Sequence, residues 1–153
     1  MKLVTINTDL LSALCKLQLL NILKGYNYEF VITAYQLKNN DIDNTTRQYF
    51  KRQDQIGNIS IVETDPTFTF GLIDNEPEIL DKLTLSDLSG MAYCIENKGV
   101  IITDQPIIKK YSELYEIRAV NTQWVLEEII KDALNLDIDL VNEIIIGEIK
   151  KGR

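Results

Sequence analysis

Strand-like and helix-like segments alternate along this chain, and the alternation predicts an α/β fold: a central, mostly parallel five-stranded sheet with helices on both faces, stacked as a three-layer sandwich. Three observations carry that expectation. Short apolar runs read as strands, amphipathic helical patterns separate them, and the run Val100, Ile101, Ile102 is unbroken, as suits a parallel strand buried on both faces. A chain of 153 residues, 45% hydrophobic and 25% charged, has the size and composition of one globular unit, so residues 1–153 are expected to form a single domain.

Leu3 to Asn7 reads as the first strand. Leu10, Leu14 and Leu17, with Leu11 and Leu20, then make a helical stripe expected to end near Gly25. "YEFVIT" (Tyr28 to Thr33) is the second strand, followed by the polar segment "KNNDIDNTTRQYFKRQ", helical in its later half. "NISIVE" (Asn58 to Glu63) is the third. The stretch "TDPTFTFGLIDNEPE", punctuated by Pro66, Gly71 and Pro77, reads as an extended loop-like stretch in which short helical turns could lie. In "TLSDLSGMAYCIENKG", Thr84 is an N-cap with Asp87 three residues on, a capping-box spacing, and Leu88, Ala92 and Ile95 share one face before Gly99. The fourth strand lies in "GVIITDQ", Pro106 can open the next helix, "EIRAVNT" (Glu116 to Thr122) is the fifth strand, and "QWVLEEIIKDAL" and "DIDLVNEIIIGEIKK" are two closing helices.

The chain has no histidine. Ser-His-Asp hydrolysis, Cys-His proteolysis and His-containing zinc sites are therefore excluded, and chemistry would have to come from carboxylates, lysine, hydroxyls or a bound metal. Cys15 and Cys94 lie in helical patterns without a CxxC motif and read as small core residues. With 23 acidic against 16 basic side chains the net charge is −7, which argues against a broad nonspecific nucleic-acid surface and permits a basic protein partner. No apolar run approaches the roughly 18 to 20 residues of a membrane span, and the N-terminus lacks a secretory signal pattern, so a cytoplasmic protein is expected.

In doubly wound sheets ligands bind beyond the carboxyl ends of the strands. Asn7 and Asp9 follow the first strand, Asp104 follows the fourth, and Asp87 begins the helix leading into that strand. These are the candidate site residues. Each has a structural reading too: Asp87 and Asp9 can complement helix dipoles, an effect of about 0.3 to 1 kcal/mol, Asp104 can cap the helix near Pro106, and Asn7 can be a local hydrogen-bonder. Thr103, Trp124 and the basic residues Lys51, Arg52, Lys109 and Lys110 are more ordinary as strand-end, core and solvated residues.

The segments "VTINTDLLSALCKLQLLNIL", "LTLSDLSGMAYCIENKGVIITDQ" and "EIRAVNTQWVLEEI" resemble the opening, middle and closing segments of PIN-domain proteins, small Mg²⁺- or Mn²⁺-dependent ribonucleases widespread as bacterial toxins. The resemblance implies a PIN-like α/β sandwich and a carboxylate-lined metal pocket. Its third and fourth acids match Asp87 and Asp104, and its first acid falls on Asn7, with Asp9 where asparagine or serine is frequent. The second acid, a Glu a few residues after the second strand, falls near Asn40 or Asp41. Mg²⁺ and Mn²⁺ take oxygen ligands, so Asp87, Asp104 and Asp9 are the expected metal ligands, and Asn7 joins Asp87 and Asp104 as the expected catalytic set. Two functions follow: a metal-dependent endoribonuclease acting on RNA, as the toxin of a toxin-antitoxin pair, or a catalytically degenerate PIN-fold module that binds a protein or nucleic-acid partner. An antitoxin or other basic protein and a second copy in a homodimer are the partners considered, and a membrane is not among them.

Overall fold

The computed structural model describes residues 1–6, 8–23, 25–38 and 42–151. Asn7, Asn40 and Asp41 lie outside them. Five strands, β1 (Lys2–Thr5), β2 (Glu29–Thr33), β3 (Ile59–Val62), β4 (Val100–Ile102) and β5 (Ala119–Val120), form one sheet in the order β3-β2-β1-β4-β5. Every pairing is parallel. The chain winds outward from β1 through β2 to β3, then returns to the other side of β1 for β4 and β5. The strand order thus reverses between β1 and β4, and the crevice beyond their carboxyl ends is where a doubly wound sheet receives ligands.

Alternation along the strands assigns residues to two cores. Leu3, Phe30, Ile32, Ile59, Val100, Ile102 and Val120 point to one face. There they meet α1 (Thr8–Lys16), α2 (Leu20–Leu23) and α4 (Asn44–Ile56), together with the closing helices. Val4, Val31 and Ile101 point to the other face, against Leu72 of α5 (Pro66–Asn75), Leu88 and Met91 of α6 (Leu85–Asn97), and Ile108 and Tyr111 of α7 (Pro106–Leu114). Full burial of each such side chain is worth about 1.5 to 3 kcal/mol, so both cores contribute heavily to stability. No helix among the described residues is long and apolar enough to cross a membrane.

Local chemistry sets the helix ends. Asp43 accepts from the Thr46 N–H at the start of α4, Asp65 from Thr67 at the start of α5, and Asn121 from Trp124 at the start of α8 (Thr122–Val125). These contacts satisfy N–H groups that the first turn leaves without partners. A five-residue π-helical stretch, Leu126–Ile130, joins α8 to α9 (Lys131–Leu134), and α10 (Ile138–Lys151) closes the domain.

Three elements differ from expectation. The first helix stops at Lys16 and resumes as α2 at Leu20, because Gln18 turns into the left-handed region at φ 57°. The stretch read as a loop contains the ten-residue helix α5 and a 3-10 turn at Pro77–Asp81: Pro66 occupies a first-turn position, where its missing N–H costs nothing. The fifth strand shrinks to two residues, since Glu116, at φ 59°, cannot continue an extended run.

Candidate functional site

Two polar regions flank the reversal of strand order, one on each side of the sheet. The first sits where α3 (Ala34–Leu37) leaves β2 and the N-terminus of α6 approaches it. Thr33 and Gln36 form a capping box: the Gln36 N–H donates to Thr33 Oγ1 at 3.1 Å, and the Thr33 N–H donates to Gln36 Oε1 at 2.9 Å. Gln36 Nε2 then donates to the carbonyl oxygen of Thr5, at the end of β1, at 2.9 Å. Thr33 Oγ1 also lies 2.7 Å from Ser89 Oγ, which donates to the Ser86 carbonyl. Gln36 is only 3% exposed and Thr33 is fully buried, so the network ties β1, β2 and α6 together out of reach of water.

Asp87 belongs to this side. Its Oδ2 accepts from the Thr84 N–H at 3.0 Å, and its own N–H donates to Thr84 Oγ1 at 3.1 Å, completing the capping box of α6. The sequence spacing predicted that contact, and the capping box is present.

On the opposite side, Asp9, in the first turn of α1, and Asp104, just beyond β4, line one pocket of about 290 Å³ with Thr122, Gln123 and Lys150. Asp104 accepts twice from Thr122, from its N–H at 2.9 Å and its hydroxyl at 2.6 Å. It therefore fastens the start of α8 to the end of β4 and does not cap α7, whose N-cap, Gln105, makes no side-chain capping bond. Thr103 Oγ1 accepts from the Gln105 N–H and is likewise engaged in the loop. Asp9 also borders a smaller cleft with Lys16, Asp43 and Glu148. There the Thr46 backbone N–H, donating to the Asp43 carboxylate, holds that carboxyl below its usual range.

The structure thus brings Asp9 and Asp104 together and leaves Asp87 outside their pocket. Among the described residues no group of three or more His, Cys, Asp or Glu side chains is placed to hold a metal ion. Mg²⁺ takes oxygen ligands, commonly one or two carboxylates completed by waters. Among the described residues two carboxylates, Asp9 and Asp104, share a pocket, the third caps its own helix, and the position three residues beyond β2 carries an amide.

Gln36 is the residue that sequence reasoning missed. It stands a few residues after the second strand, closer to that strand's end than Asn40 or Asp41. The signal that could have found it is the Thr-x-x-Gln spacing of a capping box directly after an apolar run. Comparison of the chain with protein-family models and with curated proteins finds no match.

Proposed function

We propose that this chain is a PIN-like module that acts by binding a partner, in which the acidic centre of the nucleases it resembles is replaced in part by amides. The observation that supports this reading most is Gln36. On the turn after β2, a few residues before Asn40 and Asp41, near which that resemblance puts its second acid, a buried amide donates to the Thr5 carbonyl and accepts from the Thr33 N–H. A carboxylate there could accept from Thr33 but could not donate to Thr5. Asn7 makes the same exchange of acid for amide at the first position in the sequence. With a net charge of −7, a basic protein surface is the partner class that the electrostatics favour.

The test is a cleavage assay with the full chain and single-stranded RNA in Mn²⁺ and in Mg²⁺, with EDTA controls. The binding reading expects no cleavage above the EDTA level. A second reading, a metal-dependent ribonuclease of toxin type, draws support from the pocket shared by Asp9 and Asp104. Metal-dependent cleavage that disappears in Asp104→Asn would establish it and overturn the first.

A further inference from the structure

A separate pocket of about 300 Å³ opens at the β5 edge of the sheet, with Lys109, Arg118 and Trp124 around it and Thr103, Val120 and Asn121 among its other lining residues. Its volume is at the lower bound for small-molecule sites. The lining includes two cations and no carboxylate, in a chain whose acids outnumber its bases by 23 to 16. The Arg118 guanidinium lies over the Trp124 ring, 5.1 Å from its centroid. Stacking of this kind restrains the planar fork while leaving its N–H edge able to donate. Asn121 accepts from the Trp124 N–H at 2.8 Å and Trp124 packs against the apolar core, so the platform under the guanidinium is held by backbone and core.

A restrained guanidinium beside a lysine matches one chemistry best, a phosphoryl group, whose oxygens accept paired N–H donors from arginine and a point charge from lysine. We infer that the Lys109–Arg118–Trp124 pocket binds a phosphoryl dianion, carried by free phosphate or by the phosphate monoester of a nucleoside monophosphate. The pocket is distinct from the one shared by Asp9 and Asp104, and the inference holds whether or not those acids support cleavage.

Trp124 is the chain's single tryptophan, so fluorescence excited selectively at tryptophan comes from this one pocket-lining residue. The full chain is titrated with inorganic phosphate, with adenosine monophosphate and with adenosine, by fluorescence and by calorimetry. Phosphate and the monophosphate should perturb Trp124 and compete with each other, while adenosine should do neither. Tighter binding of the monophosphate identifies a nucleotide as the source, and equal binding identifies the phosphoryl group alone. Arg118→Lys and Lys109→Ala should each weaken binding about tenfold or more, as expected for loss of a charge-assisted contact, and Lys51→Ala, on α4, should leave it unchanged. Absence of binding by calorimetry, adenosine binding as well as its monophosphate, or equal weakening by Lys51→Ala and Lys109→Ala would overturn the assignment.

Discussion

The two sides of the sheet use the same few polar residue types in opposite ways. On the α6 side, Thr33, Gln36 and Ser89 satisfy one another and the backbone in a buried network, and Thr84 and Asp87 satisfy each other in a more exposed capping box at the start of α6. On the α1 and α10 side, Asp9 and Asp104 border an open pocket, and Asp104 is exposed. Polar residues beyond the strand ends are therefore not equivalent candidates for function. Those on the α6 side hold the fold together, and those on the α1 side can meet a ligand without dismantling it.

The cysteines sharpen this comparison most, because Cys15 lies in the core on the α1 side and Cys94 in the core on the α6 side. Burial pushes both thiols up to about 12. At about pH 8 roughly one in ten thousand of each would be ionised, so neither should react with a thiol reagent until its side of the sheet opens. Single-cysteine variants, Cys15→Ala and Cys94→Ala, followed through a urea titration would show whether the two cores open together. Reaction of Cys94 ahead of Cys15 would contradict the assignment of the tighter network to the α6 side. The raised values also fix a pH dependence. Their stabilising contribution is full below the ordinary thiol value of 9.0 and is lost as pH rises towards about 12, because the unfolded chain ionises first. Stability measured by denaturation should fall across that window.

Gln36→Leu comes next in size. It removes the donor to the Thr5 carbonyl and the acceptor for the Thr33 N–H in a buried setting. Each group left without a partner costs about 1 to 3 kcal/mol, so a total near 3 kcal/mol is expected in urea denaturation. Gln36→Glu should be destabilised less at acid pH than at neutral pH. Burial raises the new carboxyl above its unfolded value of about 4.3, so the folded state is favoured while the group keeps its proton and loses that advantage as pH rises.

Asp87→Ala should cost about 1 kcal/mol, the usual value of a helix-capping contact. Combined with Thr84→Ala it should cost less than the two changes added together, since both act on one capping box. Full additivity would mean that the contact is not what Asp87 provides. A comparably small effect is expected at Asp104→Ala, about 0.5 to 1 kcal/mol, because its hydrogen bonds to Thr122 are exposed to water, as those of the Asp87 cap are. A loss above 2 kcal/mol at Asp104 would erase the distinction between the two sides.

Periodicity made most of the sheet legible, since buried parallel strands must be apolar throughout and their connecting helices amphipathic. The Asp87 cap was legible because capping depends on a three-residue spacing that a sequence displays directly. Helix α5 was not, because Pro66, Gly71 and the alternating Thr67, Phe68, Thr69, Phe70 mimic a loop or strand, although Asp65 before Pro66 is itself a helix-start signal. Gln36 escaped notice because α3 is a single turn, too short to show a period. The convergence of Asp9 with Asp104, and its separation from Asp87, depends on which side of the sheet each helix packs, which strand and helix patterns alone do not specify.

The most direct test of the central claim, that the acids on the two sides do not form one metal centre, is calorimetric titration of the native chain with Mn²⁺. The account predicts binding no tighter than about 1 mM, equivalent to roughly 4 kcal/mol. Stoichiometric binding by the native chain at about 10 μM or tighter, abolished separately by Asp87→Asn and by Asp104→Asn, would contradict it.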